Sequence, residues 1–199
     1  MPAYHSAFND EPVQQAGNTA MLPFNHTKAR GNAPQAADPS QPDIIEEALD
    51  LFRANCLFRN FEIKGPADRT LIYLILFISD CLTKIAPAPG RPSPGHVEAQ
   101  KRLQTLSVDS FALPGDAGFP LNSMYHAPAS RHEADQLRSY LTHARTETAL
   151  RLVDRLYPQE QLLGADGQPT GQLGARAAQP SKWWMSFQKR RFMGCSLSA

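Results

Sequence analysis

Aromatic and cationic residues crowd together late in the chain: Trp183, Trp184 and Phe187 lie beside Lys182, Lys189, Arg190 and Arg191. Three kinds of chemistry suit that mixture. The rings could stack on nucleobases while the cations meet phosphate. The segment could lie on an anionic membrane, or it could anchor a protein partner, where Trp and Arg are favoured. Against all three stands a packing role, in which Trp184 and Phe187 close a core and the basic residues stay in water. The formal net charge is only +1 and no wider basic stripe extends the cluster, which counts against nucleic acid. The candidate interaction surface is Lys182, Trp183, Lys189, Arg190 and Arg191, facing an acidic protein surface.

No catalytic constellation accompanies this cluster. The six histidines (His5, His26, His96, His126, His132 and His143) pair with no other ligand at zinc spacing, and are read as surface residues. His132 and His143 share a helical stretch but stand about 16 Å apart along it, too far for one metal. Ser93 and Ser123 lack a nucleophile-elbow setting. Cys81 sits in an apolar pattern, where a cysteine packs rather than attacks. The glycines between Gly164 and Gly174 lack the lysine that ends a phosphate loop. The expectation is a chain with no enzymatic activity, no metal and no cofactor.

The elements that must position these residues read as helices. Residues 1–42 carry prolines at 2, 12, 23, 34, 39 and 42, so they form an extended arm. Tyr4, Phe8, Met21, Leu22 and Phe24 could pin that arm to a surface. Asp43 with Glu46 opens a first helix, which runs to about Phe58 on an apolar stripe of Ile44, Ile45, Ala48, Leu49, Phe52 and Cys56. Asp68 or a neighbour caps the second, whose residues 71–78 have no polar face. A helix of that kind must be enclosed by others.

Residues 86–95 form a Pro/Gly linker, and Ser93 with Pro94 opens a third helix to about Leu106. A strap over 107–129 follows, held by Phe111, Phe119, Leu121 and Tyr125. Ser130 and Glu133 make the clearest capping box and start a helix that Pro158 limits. Its apolar face carries Leu137, Leu141, Ala144, Thr148 and Leu152, with Arg145, Glu147, Arg151 and Arg155 mostly elsewhere. Residues 159–180 read as a flexible Gly/Gln insertion. Ser181 then caps a last short helix reaching Met193. The fold class is all-α: about five helices packed around one central apolar helix, with an extended N-terminal arm and loops. The domain is single, over 43–193, with a tail over 194–199.

At 199 residues, 42% of them hydrophobic, the chain suits one globular domain. Three unpaired-looking cysteines fit a reducing compartment. The opening residues lack a secretory pattern, and no run is long enough to insert in a membrane.

Several stretches resemble one family. They are the opening Met1 to Ser6, then residues 67–73, Pro114 and Gly115 with residues 118–122, and Glu147 and Thr148 with residues 150–152. Residues 180–184, Phe192 with Met193, and residues 196–198 complete the series in the family's order. The chain is similar to the third small subunit of the actin-related protein 2/3 complex. That resemblance implies an all-helical, nucleotide-free subunit of a seven-subunit assembly that nucleates branched actin filaments. It implies a seat against actin-related protein 3, contact with the mother actin filament, and a cytoplasmic location in cortical actin structures and cell projections. The linker over 86–95 and the insertion over 159–179 depart from the family's shorter connections, so no partner contact is carried over to them.

Overall fold

The computed structural model describes residues 4–163 and 169–197 and, outside 161–173, their side chains. Local signals place most of the helices. The Asp43 carboxylate accepts from the Ile45 and Glu46 amides at 3.1 and 2.9 Å and starts α1, Ile44–Asn55. Ile44, Ile45, Ala48, Leu49 and Phe52 are buried on its inner face. The helix stops at Asn55, whose buried amide exchanges two hydrogen bonds with the Tyr4 backbone, at 3.2 and 3.0 Å.

Helix α2, Pro66–Lys84, begins earlier than Asp68 suggests. Pro66 occupies the first turn, where its missing N–H costs nothing. Asp68 is thereby freed for longer-range bonds. Every residue from Thr70 to Leu82 is buried, and α1, α3 and α4 all pack on this helix. Its polar members are satisfied from within or nearby: Ser79 donates to the Ile75 carbonyl at 3.2 Å and Thr70 to the Ala20 carbonyl at 2.5 Å.

Helix α3, His96–Val108, starts beyond the Ser93–Pro94 pair. The Pro94 carbonyl is instead taken by the buried Tyr157 hydroxyl at 2.6 Å. Helix α4, Arg131–Leu156, is capped by Ser130, whose hydroxyl accepts from the Glu133 amide at 3.1 Å. The Glu133 carboxylate reaches back to the Ala129 and Gly17 amides, so the same box fastens the arm. Three charged residues of α4 expected away from the core, Arg145, Glu147 and Arg151, are in fact buried. The six histidines are likewise not all on the surface, because His143 is buried.

Strands also form, although the sequence shows no sustained alternation. Gln15–Ala16 (β1) and Thr19–Ala20 (β2) pair around a turn in which Gly17 has φ +58°. A Cβ at that glycine would meet the His126 carbonyl oxygen at 2.3 Å. Gln159–Leu163 (β3) pairs antiparallel with Pro169–Arg176 (β4), in register Gln159 with Arg176. This hairpin lies inside the segment read as an insertion; its pairing is main-chain, which a polar sequence supports without apolar alternation. Residues 164–168 of that segment, and 198–199 of the tail, lie outside the described residues. Among the described residues the protein is therefore mostly helical with two small two-stranded sheets.

Candidate functional site

The predicted last helix from Lys182 to Met193 is only one turn long: α5 spans Lys182–Met185, and Ser181 makes no side-chain cap bond. Packing ends it. Trp184 is 6% exposed and stacks on Phe52 of α1 with centroids 5.8 Å apart. Phe187 meets the same ring edge-on at 6.4 Å. The chain then turns at Met193, with φ +52°, whose amide donates to the Phe58 carbonyl at 2.8 Å, while Phe192 is fully buried.

That packing sorts the predicted surface residues. Trp183 remains 48% exposed, edge-on to Trp184 at 5.1 Å. Lys182, Lys189 and Arg190 are exposed. Arg191 is half-buried and engaged: its guanidinium donates to Thr83 Oγ1 at 2.8 Å and leans on the Arg190 and Gln188 carbonyls. It ties the segment to the end of α2.

Three residues outside the segment, Arg53, Leu57 and Arg59, join the surface, and the sequence reading missed all of them. Arg53 of α1 lays its guanidinium 5.2 Å from the Trp183 ring centre and 5.6 Å from that of Phe187. Leu57, 53% exposed, follows it one turn on and opens a groove of about 450 Å³. Arg59, Lys189, Arg190 and Arg191 supply the charge of that groove, with Cys56, Met193 and Gly194, and no carboxylate lines it. Burial pushes the Cys56 thiol up to about 11, so it stays protonated and unreactive. The only signal in the sequence was the lack of any acidic residue from Leu51 to Phe61, opposite another acid-free run after Asp166.

A second set of residues holds the arm, and its chemistry is different. Asp68 accepts from the Ser6 and Lys64 amides, from the Asn9 side chain and from His5 Nδ1, all within 2.9 Å. Burial raises its carboxyl, but these donors outweigh burial and hold it below its ordinary value. Glu47 takes the Ser6 hydroxyl and the Ala7 amide; there burial wins and the carboxyl is raised. Glu147 accepts from Thr27, Lys28 and Ala29, and from Arg151 Nε at 2.8 Å, and is held below its ordinary value despite burial. Arg151 closes the network with two 2.9 Å bonds to Asp43.

Among the described residues no group of three or more His, Cys, Asp or Glu could hold a metal ion, and no helix is long and apolar enough to cross a membrane.

Comparison with known proteins adds a chain-long relationship. Residues 1–197 match the model of the P21-Arc family, described as the ARP2/3 complex ARPC3 (21 kDa) subunit. The actin-related protein 2/3 complex subunit 3 of Schizosaccharomyces pombe is 48% identical over 99% of this chain and 100% of its own length. The protein of that name from Saccharomyces cerevisiae is 44% identical over 99% and 100%, and that from Dictyostelium discoideum 40% over 98% and 99%.

Proposed function

The chain belongs to the family of ARP2/3 complex subunit 3, and from that premise we propose that it is a structural subunit supporting the nucleation of branched actin filaments. The full-length identity to the fission-yeast subunit carries this reading. In it, the protein works by shape rather than catalysis. Helix α2, buried from Thr70 to Leu82, serves as the central strut around which the other helices pack. The body sits against actin-related protein 3, beside the other subunits of the seven-subunit complex, and helps contact the mother filament within cytoplasmic actin structures.

The docking face is the cationic one: Lys182, Trp183, Lys189 and Arg190, positioned by Arg191 and extended by Arg53 and Arg59. It meets an acidic surface of another subunit or of actin. A groove with four cations and no carboxylate supports that choice, since like charges across an interface are costly and opposite charges steer encounter.

Two experiments test the reading. A tagged copy should bring down two actin-like proteins and four other small subunits; recovery as a free monomer from cell extract would sink it. Charge reversal of Lys189 and Arg190 should weaken assembly or branching, with a shallower salt dependence. Unchanged assembly, branching and salt sensitivity would remove the tail from the interface while leaving membership of the complex intact.

A further inference from the structure

Helix α4 carries a histidine whose two ring nitrogens are both committed to one loop of the arm. Phe24 and Gln35 form a parallel bridge, with the Phe24 amide on the Pro34 carbonyl at 3.0 Å and the Ala36 amide on the Phe24 carbonyl at 3.1 Å. This closes the loop over residues 25–34. Glu147 gathers the amides of its first half, Thr27, Lys28 and Ala29. One turn earlier on α4, His143 ties the two halves together: the Ala33 amide donates to Nδ1, and Nε2 faces the Ala29 carbonyl, each at 3.3 Å.

That pattern fixes the tautomer. Nδ1 must be bare to accept from Ala33, and Nε2 must carry the proton to donate to Ala29. The imidazole is 4% exposed and sits with its ring centre 4.9 Å from Phe24 and 4.4 Å from His26. The loop presses so closely that a Cβ at Gly31 would lie 2.4 Å from the His143 ring. A proton added at Nδ1 would point an N–H at the Ala33 N–H, cancel that bond, and bury a charge.

We propose that His143 is a pH-sensitive latch for the loop over residues 25–34: neutral His143 holds the loop on α4, and protonated His143 releases it. The charged and titratable groups that face the imidazole are few. His26, from the loop itself, opposes a second positive charge at 4.4 Å. Glu147, from α4, would favour the imidazolium, but its oxygens are already taken by the loop amides and Arg151. Burial first, and His26 with it, keeps His143 below the ordinary histidine value of 6.5, against the pull of the Ala29 carbonyl and Glu147.

The sign follows from linkage. The open loop takes up a proton more readily than the closed one, so closure is fully favoured above about pH 6.5. It is lost as pH falls from there through the lower midpoint of the latched form. Opening rises about tenfold for each pH unit separating the two midpoints.

Amide hydrogen exchange on the full chain, referred at each pH to unstructured rates, reads the loop directly. Nitrogen-15 NMR of the histidines reads the tautomer and midpoint in the same sample. The expected result is an Nε2–H tautomer with a midpoint below 6.5 for His143. Protection at Ala29 and Ala33 should drop at least threefold between pH 7.5 and 5.5, while α2 holds. His143→Gln should remove the pH step. A loop equally protected across that range overturns the latch, as does a step that persists unchanged in H143Q. Should that variant fail to fold, the wild-type tautomer and midpoint decide alone: an Nδ1–H tautomer, or titration at or above 6.5, rejects it.

Discussion

The arm and the C-terminal segment both lie across the helices, and the contrast lies in what holds each of them. Residues 4–36 are held by buried and half-buried carboxylates that collect backbone amides: Asp68 takes Ser6, Glu47 takes Ala7, Glu147 takes Thr27 to Ala29. The segment after Ser181 is fixed by rings, with Trp184 and Phe187 on Phe52 and Phe192 on Phe61. Amide-to-carboxylate fastening is directional and responds to protons. Ring packing responds to neither protons nor salt, so it can hold a strongly cationic stretch in place without neutralising it. The helix charges that hold the arm are spent on folding, whereas Lys182, Lys189 and Arg190 of the tail stay exposed.

The largest effect should come from the tail. Trp184→Ala removes a nearly buried ring stacked on Phe52 and should destabilise the chain by about 3–5 kcal/mol in denaturant melts. Loss should be the same at low and high salt. A strongly salt-dependent loss would mean that charges, not rings, seat the segment.

Glu147→Ala should rank next, at about 3 kcal/mol. It strips the acceptor from three loop amides and leaves Arg151 with Asp43 as its main counter-charge. Hydrogen exchange should show the loop over 25–34 opening first, with the Trp184 environment intact. Simultaneous loss of both would show that the two fastenings are coupled.

Acid should separate the regions without mutation. Asp68 and Glu147 are depressed below their ordinary values of 3.8 and 4.5, so their contribution is complete above those values and is lost as pH falls through the lower folded ones. Glu47 is raised, and its contribution has the opposite sign: it is complete below 4.5 and is lost as pH climbs from there through the higher folded value. The first two gather more of the arm's bonds than Glu47 does and should prevail, so arm protection outside residues 25–34 should fall below about pH 4 while near-ultraviolet tryptophan signals persist.

Those buried charges also mark where the sequence stopped being legible. The caps at Asp43 and Ser130 were readable because donor and acceptor lie two or three residues apart. The packing of Trp184 was readable because large rings in a small domain seek cover. Glu147 and Arg151 looked like solvent residues on a polar helix face, and apart from each other their partners stand more than 100 residues away. Arg145 is similar: its guanidinium lies 4.2 and 4.7 Å from the rings of Phe111 and Phe77, a pairing that no spacing announces. Of the candidate surface, the cations of the tail were visible, but their extension by Arg53, Leu57 and Arg59 depended on α1 lying alongside.

The smallest effect sharpens the comparison most. Trp183 is half exposed; it meets the Arg53 guanidinium, worth about 0.5–1 kcal/mol at an exposed site, and the Trp184 and Phe187 rings edge-on. Trp183→Ala should therefore shift stability by about 1–2 kcal/mol, less than Trp184→Ala. If the tail's exposed face exists for a partner, the same substitution should cost more in binding than in folding, because a ring held rigid beside cations suits a hot spot. Measuring the stability of the free chain and its retention in the assembly separates the two. Equal losses would return Trp183 to a packing role. A retention loss well beyond the folding loss would mark the ring, with Lys189 and Arg190 beside it, as contact surface.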